Sequence, residues 1–207
     1  MIQAATRSNV SKYANPNPLH QWLLRHFLEK AASETRWALG ALATPALLDV
    51  GCGEGYVLRH LQRDWPTLET QGMDGDREAL ALARRACPGT LFLQADAARL
   101  PFRDRSFDML TCLEVLEHLR EPGQALAELA RVSRRYILLS VPNQPFFALS
   151  NLLRGRNLGR LGEDRDHIHH WTASQFLSLV RAKLDVIKLC YPFPWVLVLA
   201  ETRFQNG

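Results

Sequence analysis

Apolar and polar positions alternate along this chain in a way that predicts short buried strands separated by amphipathic helices. Residues 46–50 are an apolar run carrying one acid, Asp49, and suit a buried parallel strand. Residues 68–73, 91–94, 107–112 and 136–141 read as four further strands. After the first run, Val57, Leu58, Leu61 and Trp65 recur at helical spacing until Pro66. A second helix is predicted over 77–87, between Asp76 as cap and Pro88-Gly89 as stop. A third is predicted over 122–133, with Leu126, Leu129 and Ala130 on one face.

The two ends of the chain depart from this rhythm. Residues 1–16 read as loosely structured, and Asn17-Pro18 then supplies an N-cap and a first-turn proline. Leu19, Trp22, Leu23, His26, Phe27 and Ala31 form one apolar stripe of a helix that ends before Thr44-Pro45. Residues 143–171 are irregular, and Thr172-x-x-Gln175 is a capping box that opens a last helix. Two β-rich runs, 185–191 and 195–201, are joined only by Pro192-Phe193-Pro194, too short for a crossover, so they must pair antiparallel. The expectation is an α/β fold: five βα units closed by a hairpin. That gives a Rossmann-like, doubly wound, seven-stranded, mostly parallel sheet with an antiparallel C-terminal strand.

Composition narrows the class without choosing a function. With 207 residues, 47% apolar and 22% charged, the chain has the material for one α/β domain. A formal charge of +4 is too mild to announce a nucleic-acid partner. Cys52, Cys87, Cys112 and Cys190 are far apart and form no Cys-x-x-Cys pair. Neither a disulfide framework nor zinc spacing is indicated, and buried thiols in a reducing compartment fit best. No signal-type core or membrane-length apolar run is present, so a soluble, cytoplasmic protein is expected.

Ligands of open parallel sheets bind outside the carboxyl ends of the strands. Those positions here hold the loop Gly51-Cys52-Gly53-Glu54-Gly55, then Asp74, then Asp96-Ala97, then Leu113-Glu114. An acid after the second strand is placed to hold both ribose hydroxyls. An acid after the third strand can accept from the exocyclic amine of adenine. Each acid alone also reads as a turn or cap residue. Together, beside a glycine loop, they point to an adenosine-bearing cofactor. The spacing Gly51-x-Gly53-x-Gly55 with Tyr56 departs from the dinucleotide fingerprint, and no Gly-Lys-Ser/Thr follows. Asp49 is expected to fix the loop by accepting its backbone amides.

Leu-Leu-Asp49-Val-Gly51-Cys-Gly53-Glu-Gly55 resembles the first motif of class I S-adenosylmethionine-dependent methyltransferases. Gly72-Met-Asp74 resembles their ribose-holding segment. The run from Asp96 through Leu100-Pro101-Phe102, Asp104, Ser106 and Phe107 to Asp108 is similar to one in the branch that includes quinone-biosynthesis enzymes, as is Val115-Leu-Glu-His-Leu119. The resemblance is close over about residues 46–142. It implies that Asp49, Gly51, Cys52, Gly53 and Gly55 line the methionine part of S-adenosyl-L-methionine, the loop amides approaching it. Asp74 and Gly75 would meet ribose, Asp96 and Ala97 adenine, and the backbone near Cys112 and Leu113 the amino group. Lys12 or Tyr13 would close over the cofactor. One domain over 1–207 is implied, with a cap-helix region (1–44), a cofactor-binding half (46–142) and a substrate side (143–207).

Methyl transfer from a sulfonium depends chiefly on positioning, and needs a base only where the acceptor must lose a proton. His118 and His167 are the candidate bases. Each has a plainer use, His118 at a helix start and His167 as a loop anchor. His169 and His170 extend the cluster, but no characteristic zinc spacing accompanies it, so no metal is expected. Trp171 and Phe176 have the positions of a hydrophobic staple. Phe146, Phe147, Tyr191, Phe193 and Trp195 cluster where an acceptor pocket is expected, favouring a small apolar or aromatic molecule. Residues 154–166, with four arginines against three acids, read as a solvated lid rather than a nucleic-acid surface. The rival readings are an RNA methyltransferase, a dinucleotide oxidoreductase and a non-catalytic cofactor binder. Oligomeric state is left open.

Overall fold

Asn17 opens the first helix, α1 (Pro18–Leu39), by accepting the His20 amide at 3.1 Å, while Pro18 fills a first-turn position that needs no donor. The structure, a computed structural model, describes residues 15–153 and 167–203. After α1 the elements run β1 (Ala46–Val50), α2 (Tyr56–Asp64), β2 (Glu69–Asp74), α3 (Arg77–Ala86), β3 (Leu91–Gln94) and β4 (Phe107–Leu113). A 3₁₀ turn at Leu116–His118 follows, then α4 (Pro122–Val132), β5 (Ser133–Pro142) and α5 (Phe146–Leu153). The chain finishes with α6 (Ala173–Arg181), β6 (Leu184–Cys190) and β7 (Trp195–Thr202).

The seven strands form one sheet in the order β3-β2-β1-β4-β5-β7-β6. β1 to β5 pair in parallel, and β7 runs antiparallel to both of its neighbours. β6 therefore points the same way as the parallel strands, and its end faces the same edge as theirs. The expected fold class is the one observed.

The central strands β1, β4, β5 and β7 are buried on both faces, and the period of two sorts their side chains. Leu47, Met109, Leu138 and Leu197 pack with Phe27, Ala31, Leu58 and Leu80 of α1, α2 and α3. Their immediate neighbours Leu48, Leu110, Leu139 and Val198 pack on the other face with Leu126, Leu129, Phe176 and Val180 of α4 and α6.

Three expectations need correction. The buried side of α1 is His20, Leu23, Leu24, Phe27 and Ala31, whereas Leu19 and Trp22 are exposed and Trp22 stacks on exposed His26. The helix is thus turned so that Leu23-Leu24, not the Leu19-Trp22-His26 edge, meets the sheet. No helix joins β3 to β4, so the expected series of five regular βα units is interrupted there. Instead Arg131 of α4 pins that connection, donating to the carbonyls of Leu100 and Phe102 and to Asp104 at 2.7–3.0 Å. Residues 146–153, expected to be irregular, form α5.

Several local signals are met. Asp76 caps α3 by accepting the Glu78 and Ala79 amides. Thr172 and Gln175 form the reciprocal capping box of α6, and Trp171 packs on Phe176 with ring centroids 5.8 Å apart.

Candidate functional site

Strand order reverses between β1 and β4, so their carboxyl ends open the crevice where open α/β sheets take ligands. The glycine loop leaves β1 there. Gly51, Gly53 and Gly55 all have positive φ (77°, 51° and 79°), a region costly for side-chain-bearing residues. Gly51 is also sterically confined: a Cβ there would lie 2.2 Å from Val115 Cγ2. The loop and the segment following β4 are therefore in direct contact.

The loop's amides are held within the protein. Gly51 and Cys52 both donate to the Met73 carbonyl, Gly53 donates to Asp74 Oδ2 at 2.8 Å, and Gly55 donates to the Cys52 carbonyl. This corrects two expectations. These four amides are not held open for a ligand, and the acid that braces the loop is Asp74, not Asp49. Asp74 Oδ1 also accepts the Asp76 amide at 2.8 Å, so both its oxygens are oriented and each keeps a lone pair. Burial pushes the Asp74 carboxyl above its ordinary value, against the pull of those amides from Asp76 and Gly53.

Asp49 lies opposite Thr111 in the β1–β4 register and accepts its hydroxyl at 2.6 Å. Its other oxygen, Oδ2, is buried without a hydrogen-bond partner. Burial pushes this carboxyl up to about 7, with the nearby charge of Asp74 adding to it and the Thr111 hydroxyl opposing it. An orphaned buried acceptor at the end of β1 is costly unless something donates to it.

The remaining expected residues fall around this crevice in different states. The Cys52 side chain is buried and its thiol is pushed well up by burial, so it is an inert packing group. Gly75 follows β2 and its carbonyl accepts from Gln94 Nε2 at 2.9 Å. Asp96 is exposed and accepts the Ala98 amide at 2.9 Å, while Ala97 is buried. Leu113 and Cys112 are buried at the end of β4. Lys12, Tyr13 and residues 154–166 lie outside the described residues.

The two histidines are brought together: the rings of His118 and His167 lie 5.0 Å apart, and His167 also packs on Phe147. With them comes Glu117, which the sequence reading passed over. It is 1% exposed, and one ligand atom from each of Glu117, His118 and His167 lies within 4.8 Å of the others. Spacing along the chain could not reveal this, because the third donor arrives from a different segment.

A cavity of about 560 Å³ opens between β5, α6 and the β6–β7 turn, lined by Phe146, Tyr191, Phe193 and Trp195 among others. Four of the five expected aromatics line it. Phe147 is buried instead, between His167 and Trp195. The polar lining residues Asn143, Gln144, Thr172 and Ser174 carried no signal in the sequence beyond the capping box.

Comparison with known proteins agrees with this architecture. Residues 48–136 match a family model described as a methyltransferase domain. A demethylmenaquinone methyltransferase from Thermotoga maritima is 36% identical over 89 residues, covering 43% of this chain and 39% of that protein. A probable S-adenosylmethionine-dependent methyltransferase of Mycobacterium tuberculosis is 33% identical over 107 residues, covering 49% of this chain and 37% of that protein. The chain thus spans well under half the length of these curated relatives. Among solved structures, the PH0226 protein of Pyrococcus horikoshii superposes with a TM-score of 0.71 at 17% identity, covering 94% of this chain and 96% of that one. Residues 48–136, which carry the glycine loop, Asp74 and Asp96, are thus similar to a methyltransferase domain.

Proposed function

We propose that this protein transfers a methyl group from S-adenosylmethionine to an O, N or C atom of a small apolar or aromatic molecule. The observation that carries the reading is the presence of two features at one edge of the sheet. One is a glycine loop braced by Asp74, beside an orphaned buried acceptor on Asp49. The other is an apolar, aromatic-lined cavity at the same edge of the sheet.

These residues fit the cofactor. Asp74 has its carboxylate fixed by two amides, with lone pairs left for the ribose hydroxyls. Asp49 Oδ2 offers a buried acceptor beside the loop. Gly75 is assigned to the space beside the ribose, Asp96 and Ala97 to the adenine end and Leu113 to the amino group, as the resemblance to the family motif implies. When bound, the sulfonium supplies a methyl group already activated for displacement. The protein's own contribution is then to orient the acceptor and exclude water, which can provide most of the acceleration. His118 or His167 would take a proton from an acceptor that must lose one.

An apolar acceptor is favoured by the cavity walls, and the Thermotoga relative is named for a quinone precursor of that kind. Residues 1–207 are read as one methyltransferase domain. No helix among the described residues is long and apolar enough to cross a membrane, and all four cysteines are free, which accords with a reducing, cytoplasmic setting.

Calorimetric titration with S-adenosylhomocysteine, with NAD as control, tests the cofactor. Saturable binding of the first alone is expected, and binding of NAD alone would overturn the reading. Methyl-labelled cofactor offered with a metabolite extract and, separately, with RNA tests the acceptor. Label entering organic-soluble small molecules is expected. Label confined to RNA would reassign the acceptor class.

A further inference from the structure

We infer that Glu117, His118 and His167 form a binding site for one first-row divalent transition-metal ion at the edge of the glycine loop. This goes beyond the methyl-transfer reading and does not depend on it, although an imidazole nitrogen that holds the ion is no longer available as the base. The donors are a carboxylate oxygen and two imidazole nitrogens, all within 4.8 Å of one another. Metal–nitrogen and metal–oxygen bonds of about 2.0–2.2 Å place donors about 3.3–3.6 Å apart at a tetrahedral ion and at most about 4.4 Å apart across one. The present spread of up to 4.8 Å therefore closes onto an ion by rotations of the side chains that draw the donors together by about an ångström.

The arrangement is built by the backbone rather than by chance surface proximity. Glu117 and His118 lie in the 3₁₀ turn after β4, where the His118 amide donates to the Val115 carbonyl. The segment carrying His167 is fastened to that turn, because the Ile168 and His169 amides both donate to the Glu117 carbonyl, at 2.9 and 3.1 Å. The His169 ring bonds the Leu119 carbonyl at 3.0 Å, and Phe147 backs the His167 ring at 5.5 Å between centroids. The donors are thus oriented by neighbours that are not themselves donors, the support that metal ligands need.

The chemistry of the set selects the ion. Calcium and magnesium prefer sites made wholly of oxygen, whereas imidazole with carboxylate suits zinc, iron, cobalt or nickel. Glu117 is buried, so its charge interacts strongly with a cation, while His118 and His167 are only partly buried. Three protein donors leave coordination positions for oxygen atoms of water or of a second molecule. Val115, two residues before Glu117, packs on Gly51, so the ion would sit next to the loop assigned to the cofactor.

The test uses the full chain after treatment with a chelator. Cobalt(II) is titrated while its visible d–d bands are followed, and zinc(II) is titrated by calorimetry. S-adenosylhomocysteine binding is measured on the same samples. One equivalent of metal per chain is expected, with His118→Ala and His167→Ala each weakening it by about tenfold or more. The exposed His26→Ala is the control and should leave metal binding unchanged. Circular dichroism verifies that each variant folds, and His167→Gln replaces an alanine variant that does not. Absence of a stoichiometric site in the wild type, or equal affinity in the folded variants, would overturn the proposal. Homocysteine-compound binding that persists when metal binding fails would leave the methyltransferase reading intact, and the converse result would leave the metal site intact.

Discussion

Asp74 Oδ2 accepts the backbone amide of Gly53 at 2.8 Å, so the acid at the end of β2 holds the loop that leaves β1. One carboxylate thereby has two tasks, shaping the loop and presenting lone pairs to a ligand. Asp74→Ala is expected to remove both. Hydrogen bonds to a charged group contribute about 1.5–3 kcal/mol each, so S-adenosylhomocysteine affinity should fall by roughly a hundredfold. Asp74→Asn keeps one acceptor oxygen and should lose less. Calorimetry on both variants checks this, and unchanged affinity in Asp74→Ala would remove the residue from the site.

Gly51 and Gly89 separate backbone strain from steric confinement. Both have positive φ, 77° and 91°, but a Cβ on Gly51 meets Val115 at 2.2 Å while one on Gly89 meets nothing within 4 Å. Gly89→Ala should cost only the left-handed strain, about 1–2 kcal/mol. Gly51→Ala adds overpacking of about 1–3 kcal/mol and should also displace the 115–118 segment. Urea unfolding of the two variants should therefore give a clearly larger loss for Gly51→Ala.

Asp49 should make stability depend on pH in an unusual direction. Its carboxyl titrates near 7 in the folded chain against an ordinary 3.8, because burial penalises the charge. Between those values the native state binds more protons than the unfolded one, so this group's contribution is full below about 3.8 and is lost as pH rises through about 7. The loss is on the order of 4 kcal/mol. Asp49→Asn removes the titration while Thr111 can still donate to the amide oxygen. The stability difference, variant minus wild type, should grow from about pH 4 to about pH 8 in urea unfolding of the ligand-free protein. A pH-independent difference would show that Asp49 does not titrate in this window.

What could be read from the sequence was local or covalently forced. Asp76 and the Thr172–Gln175 pair are capping signals complete within four residues, and both form as written. The four residues between β6 and β7 allow nothing but a hairpin. The glycine loop and Asp74 were legible as neighbours because βαβ chirality fixes where consecutive strand ends lie. Other features depended on distant packing. The orientation of α1 is not legible in the sequence, because Leu19, Trp22 and His26 share helical spacing with Leu23 and Phe27, and only the sheet decides which edge is buried. Residues 146–153 are almost uniformly apolar after Pro145, which erases the periodicity that marks a helix. Much of the 96–108 run is structural. Asp104 pairs with Arg131, and Asp108 accepts the Ala46 amide and pairs with Arg134. Glu117 was invisible as a site residue because its partner His167 comes from another part of the chain.

The aromatic cavity yields the sharpest test of acceptor class. Trp195 is buried at its base against Phe27, with ring centroids 4.9 Å apart, while Tyr191 and Phe193 are 56% and 46% exposed at its mouth. Exposed side chains carry little of the fold, so Tyr191→Ala and Phe193→Ala should unfold at nearly the wild-type urea concentration. Each ring buried against an apolar acceptor contributes about 1.5–3 kcal/mol. Affinity for a naphthoquinol probe should therefore fall by at least about tenfold in either variant. S-adenosylhomocysteine affinity should stay unchanged, because Asp74 and the glycine loop are intact. A probe that binds both variants as tightly as wild type would show that the acceptor sits elsewhere. An equal fall for probe and cofactor compound would show that the cavity supports the cofactor site rather than receiving an acceptor.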